Sequence, residues 1–311
     1  MPITQGVHHI TAIVDDPQEN MDFYAGVLGL KFLKKTVNFD DPTTYHLYFG
    51  NAEGDPGTAI TFFPWPGAQK GVIGNGQVGI TYYAIAPNTS DFWEKRLHAF
   101  GVKVTRKTWF DETALFFTDP HGLKLALIER DNMPINTYAF NGVSSREAIR
   151  GFIGAELYSA HPDATSIVLT DLLGYEYASS NNGTKRFKSA GPLGSTIDVS
   201  KAPSFGAMGV GTVHHIAFRA EHSDAHEGFR SAARNHGFRV TPFIDRDYFY
   251  SIYFRESGGV LFEIATDEPG FTVDESIDEL GCALKLPKQH EHLRSHLEKQ
   301  LPAIRVREVK P

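Results

Sequence analysis

The stretch Val7-His8-His9-Ile10-Thr11-Ala12-Ile13-Val14 has a counterpart late in the chain, Val213-His214-His215-Ile216-Ala217-Phe218. Each reads as an alternating strand that opens a block of one order: strand, helix, then three strands. The first block continues with a helix from Pro17 to Gly29 and strands near Lys31–Phe39, Tyr45–Gly50 and Thr58–Phe63. In the second, Ile80–Ala86 precedes a helix over Ser90–Phe100, with Ser90 placed to cap it, and strands over Lys103–Thr108, Ala114–Thr118 and Leu123–Glu129. The third runs from Phe152–Ser159 through a helix ending at Leu173-Gly174 to Tyr175–Ser179, Thr184–Lys188 and Ser195–Val199. The fourth, opened by Val213–Ala220, adds a helix over Ser223–His236 and strands over Arg239–Thr241, Ser251–Phe254 and Val260–Thr266. Gly29, Gly101, Gly174 and Gly237 close the four helices, as expected of the residue that most readily takes the left-handed turn. Four such units predict an α+β fold of tandem βαβββ modules forming half-open barrels, in two domains: residues 1–135, a linker over 136–150, and 151–311 with a polar tail segment Lys288–Gln300.

Composition narrows the function. A chain of 311 residues with 41% hydrophobic and 22% charged residues is an ordinary globular protein of about two domains. Its net charge of -7, with scattered basic residues, argues against a nucleic acid or an anionic membrane and favours a small-molecule partner. The single cysteine, Cys282, excludes an internal disulfide or a thiolate cluster and points to the cytoplasm, so any metal must be held by His and carboxylates. The opening Met-Pro-Ile-Thr-Gln-Gly shows no targeting signal, and no apolar run reaches membrane-spanning length.

Alternation then sorts the side chains. Ile10, Ala12 and Val14 share a face with His8, and Ile216 and Phe218 share one with His214; these faces should meet the helices. His9 and His215 are left facing inward. In the last strand, Val260, Phe262 and Ile264 take the helix side, so Glu263 faces inward too, where an unpartnered carboxylate would be costly. His9, His215 and Glu263 form a two-His, one-carboxylate triad, the donor set of non-haem Fe(II) enzymes that handle O2. An ion pair of Glu263 with Arg255 or Arg246 is the plainer alternative. In the other modules the position of Glu263 falls on Thr61, Ala126 and Asp198, and that of the histidines on Gly79 and Gly154, so one metal per chain is expected. His290, His292 and His296 have ligand-like spacing but sit on a polar, solvated stretch.

The array resembles the vicinal oxygen chelate superfamily. Within it, Val7–Thr11, Asp22-Phe23-Tyr24 through Leu28-Gly29-Leu30, Lys34–Asp40, Tyr45–Phe49 and Pro56-Gly57-Thr58 resemble the hydroquinone-cleaving branch of the type I extradiol dioxygenases over nearly the whole chain. The resemblance implies Fe(II), with Mn(II) as the alternative, on His9, His215 and Glu263, and O2 as co-substrate for cleavage of a hydroquinone-type or catechol-type ring. It also implies an outer set of His8, His214, Thr11, Arg246 and Tyr253, with His214 as acid/base and Tyr253 and Arg246 orienting the substrate oxygens. Ile252 departs from the branch, where Thr is usual, and is expected to alter the pocket. The rivals are a glyoxalase-like isomerase or thiol transferase and a metal-free protein that sequesters a small molecule. A homo-oligomer stays open.

Overall fold

The computed structural model describes residues 3–311; Met1 and Pro2, the start of the segment read for targeting, lie outside the described residues. Module 1 comprises β1 (Val7–Val14), α1 (Pro17–Met21, continued by a π-helical turn over Asp22–Val27), β2 (Lys31–Val37), β3 (Tyr45–Gly50) and β4 (Ala59–Pro64). Module 2 comprises β5 (Gln77–Ile85), α2 (Ser90–Ala99), β6 (Thr105–Trp109), β7 (Glu112–Thr118) and β8 (Lys124–Glu129). Module 3 has β9 (Gly151–Tyr158), α3 (Pro162–Ile167, continued by a π turn over Val168–Leu172), β10 (Glu176–Asn181), β11 (Thr184–Lys188) and β12 (Thr196–Ser200). Module 4 has β13 (Thr212–Ala220), α4 (Ser223–Asn235), β14 (Ile244–Asp245), β15 (Phe249–Arg255) and β16 (Leu261–Pro269).

The strands form two eight-stranded, curled sheets, ordered β14-β15-β16-β13-β1-β4-β3-β2 and β10-β11-β12-β9-β5-β8-β7-β6. Antiparallel β1·β13 joins modules 1 and 4, and antiparallel β5·β9 joins modules 2 and 3. Each sheet therefore takes one module from each half of the chain. Alternation decides what each face buries: Ile10, Ala12, Val14, Ile216, Phe218, Phe262 and Ile264 join the large helix-side core. The opposite face of the first sheet carries Tyr48, Ala59, Ala217, Phe249 and Ala265. Small residues near the β1·β13 seam leave room there for a site.

All four helix-closing glycines have positive φ, between +68° and +83°. Two local expectations are corrected. Ser90 does not cap α2: the Glu129 carboxylate reaches the helix start, accepting from Ser90 N at 2.8 Å. Partial burial opposes this anion, but the N–H groups of Asn88, Thr89 and Ser90 hold Glu129 below the usual carboxylate range. Arg239–Thr241 forms no ladder; the edge strand is Ile244–Asp245, paired to Tyr250 and Ser251, because Thr241 spends its hydroxyl on Tyr253 N and its own N–H on Tyr253 O.

After β16 the chain returns across module 1. Lys34, fully buried on β2, fastens it: its Nζ donates to Asp274 Oδ1 (2.6 Å), Glu275 Oε2 (2.5 Å) and Phe271 O (3.1 Å) and lies over the Tyr248 ring. A short helix α5 (Arg294–Gln300) follows. Among the described residues, no helix is long and apolar enough to cross a membrane.

Candidate metal centre

His9 sits on β1, His215 on the neighbouring β13 and Glu263 on β16. Their ligand atoms all lie within 4.8 Å of one another, and all three side chains are buried. Glu263 Oε2 stands 2.8 Å from His215 Nε2 and 3.2 Å from His9 Nε2. Cis ligands held at about 2.1 Å from one ion would be about 3 Å apart, so the spacing fits. Neither Arg255 nor Arg246 pairs with Glu263: Arg255 donates to Gly259 O and Arg246 to the Tyr253 hydroxyl.

The donor chemistry fits as well. Glu263 Oε1 is capped by the Ser251 hydroxyl, while Oε2, buried, meets neither imidazole in hydrogen-bond geometry. Burial alone would raise its pKa, but the neighbouring His9 and His215 imidazoles outweigh burial and hold Glu263 well below the usual carboxylate range. Burial pushes His215 down, against the opposing pull of Glu263. A buried carboxylate oxygen that makes no hydrogen bond and faces two imidazole nitrogens is a donor set suited to a cation.

Strict alternation fails at the first histidine of each pair. The β1·β13 register shifts between Val7 and His9 and again opposite His214, so His8 and His214 are the extra residues of two bulges. Neither turns to the helix side. His8 Nδ1 lies 2.9 Å from His9 Nδ1, with its ring edge-on to Phe249, and His214 Nδ1 lies 2.8 Å from His215 Nδ1. Burial and then His215 push His214 down to about 3, so this ring is neutral.

His9 and His215 line a cavity of about 280 Å³, with Glu263 buried behind them. Phe39, Phe63, Trp65 and Phe249 supply flat apolar walls, and Arg246 and Tyr253 supply polar ones. Tyr253 packs edge-on to the His215 ring, and Arg246 Nε lies 3.3 Å from its hydroxyl. Burial first, then Glu263, raises Tyr253, so it is a neutral donor. Thr11 turns elsewhere: its hydroxyl lies 2.7 Å from that of Thr61, which bonds His46 Nε2 at 2.8 Å, whose Nδ1 meets the Tyr48 hydroxyl at 2.8 Å. Ile252 packs on the helix side and does not shape the cavity. Ser251 and His46 were not singled out by the sequence reading. The signal for His46 was present, since parity places it with Tyr48 and Thr61 on one face.

The equivalent positions of the second sheet carry different groups. By pairing, Tyr82 stands where Thr11 does, so Ile80, and not Gly79, occupies the place of His9; Gly79 falls at the bulge. Gly154 takes the place of His215, and a Cβ there would come 1.6 Å from Thr196 O. Asp198, in the place of Glu263, is bound at 2.7 and 2.8 Å by the buried Arg186 guanidinium, which also reaches Glu112 at 3.1 Å. A fixed organic cation fills the second cup. Among the described residues, the first triad is the one grouping of His, Cys and carboxylates that could hold an ion, and His290 instead bonds Phe39 O.

Comparison with known proteins agrees with this architecture. The model of the Glyoxalase/Bleomycin resistance protein/Dioxygenase superfamily matches residues 6–127. The "Putative ring-cleaving dioxygenase MhqO" of Bacillus subtilis is 51% identical over 98% of both chains. The chlorohydroquinone/hydroquinone 1,2-dioxygenase of Sphingobium indicum is 33% identical over 94% of each. A crystal structure described as that of a "putative dioxygenase" from Bacillus subtilis superposes with a TM-score of 0.98 at 50% identity, covering 99% of this chain and 100% of that one. The chain belongs to the Glyoxalase/Bleomycin resistance protein/Dioxygenase superfamily, within its ring-cleaving dioxygenases.

Proposed function

We propose that the protein is an Fe(II)-dependent dioxygenase that opens a hydroquinone-type ring by inserting both atoms of O2. One observation carries the reading: a buried carboxylate converges with two imidazoles that line a small, aromatic-walled cavity. The activity named for the Sphingobium relative supports the choice of ring. His9, His215 and Glu263 would hold the iron, which supplies a Lewis acid and a path for electrons between ring and O2. The chain's own residues do the rest. Phe39, Phe63 and Phe249 clamp the ring and exclude water, and Arg246 and Tyr253 donate to substrate oxygens. His214 holds the His215 tautomer through Nδ1, and its other ring nitrogen is left to exchange a proton at the cavity. Thr61 stands where a fourth, carboxylate ligand would, and its hydroxyl is engaged by Thr11 and His46, which disfavours a glyoxalase-like isomerase.

The test is anaerobic loading with Fe(II), followed by O2 uptake with hydroquinone and with catechol. We expect one O2 consumed per ring, faster with hydroquinone; ring loss without O2, or O2 uptake without iron, would overturn the reading. Arg246→Met should raise KM about tenfold or more, the worth of a hydrogen bond from a charged donor, while bound iron per chain stays unchanged. A normal KM in that variant would remove Arg246 from substrate binding.

A further inference from the structure

We propose that Ser251 is a positioning residue of the metal centre: its hydroxyl occupies Glu263 Oε1 and obliges the carboxylate to ligate through Oε2 alone. The inference rests on the reading that the triad holds an ion.

A glutamate can offer an ion one oxygen or two, and which it does decides how many coordination positions stay open to substrate and O2. Here the two oxygens have different surroundings. Oε2 faces both histidine Nε2 atoms, and Oε1 takes the Ser251 hydroxyl. The backbone fixes this choice. Ser251 pairs with Ala265 on antiparallel β15·β16, and Tyr253 pairs with Glu263, so Ser251, Tyr253, Glu263 and Ala265 share the inward face. Ser251 is completely buried, so water does not compete for its hydroxyl. Tyr253, on the same face two residues on, has its hydroxyl met by Arg246 Nε. Alanine would leave Oε1 buried and without a donor, and the nearest way to satisfy it is to turn toward the ion.

The experiment uses the full chain, stripped of metal and titrated with Mn(II), which needs no protection from O2. In wild type and in Ser251→Ala, Ser251→Val and Ser251→Thr, binding is followed by the free-ion resonance, and the water on the bound ion by proton relaxation. Wild type and Ser251→Thr should share one relaxivity. Ser251→Ala and Ser251→Val should lose roughly a third of it, as Oε1 takes one of three open positions, and their Mn(II) affinity should shift about tenfold or more. A metal-free melting temperature close to wild type shows that each variant folds; valine and threonine match in shape, so their contrast isolates the hydroxyl. Unchanged relaxivity and affinity in both Ser251→Ala and Ser251→Val would overturn the assignment of Ser251. Failure of wild type to bind Mn(II) or Fe(II), or equal binding by His9→Ala, would instead overturn the metal reading beneath it.

Discussion

Glu263→Gln will abolish O2-dependent ring consumption, a fall on the order of a thousandfold or more, since it withdraws the single anionic donor from the triad. The amide keeps the shape of the side chain and a partner for Ser251, so the metal-free variant should melt close to metal-free wild type. The difference appears when metal is added. At a concentration a hundred times its dissociation constant, a bound ion stabilises the native state by about 2.7 kcal/mol, and wild type should show the matching rise in melting temperature. The variant should show none. Turnover and a metal-dependent rise that both survive Glu263→Gln would mean the ion sits elsewhere.

The second large effect is structural. Lys34→Met should cost about 3–5 kcal/mol of unfolding free energy, because it leaves Glu275, 8% exposed, as a buried anion without its cation. Glu275 also accepts from Gly281 N and Ala283 N, and the tail sets Phe271 and Leu280 against Tyr48 and Phe249. Phe249 in turn packs against the His8 and His9 rings, so loosening the tail should lower bound metal along with stability. The double variant Lys34→Met/Glu275→Leu should recover part of the loss, since it removes the stranded charge. Chemical denaturation decides: a loss under about 1 kcal/mol for Lys34→Met would mean that water reaches Glu275 and the pair is not a fastener.

The triad was legible because inward-facing positions alternate, and alternation held at His9, His215 and Glu263. It failed one residue away, at His8 and His214, where an inserted residue shifts the pairing by one and brings the extra imidazole beside the ligand. A bulge depends on both strands, and neither strand's own pattern shows it. The same limit hid Arg186: its position on β11 reads as an ordinary surface cation until β12 places Asp198 opposite it. Lys34 lay within a recognisable run, yet nothing local marked it as buried, since its partners come from residues 271–275. Ser251 escaped for a related reason, its partner being set by cross-strand register. By contrast, helix ends at Gly29, Gly101, Gly174 and Gly237 were plain, because a left-handed residue is a local demand.

The order of the two sheets has a consequence for synthesis. Modules 2 and 3 are adjacent in sequence, so the sheet spanning β5 to β12 can close while the ribosome is still making the rest. β1, translated first, must wait for β13, which begins at Thr212, with one edge uncovered and an apolar face beside it. The nascent first module is thus exposed to wrong pairing until β13 is made, and slow codons ahead of Thr212 should lower soluble yield more than the same codons placed after Pro269.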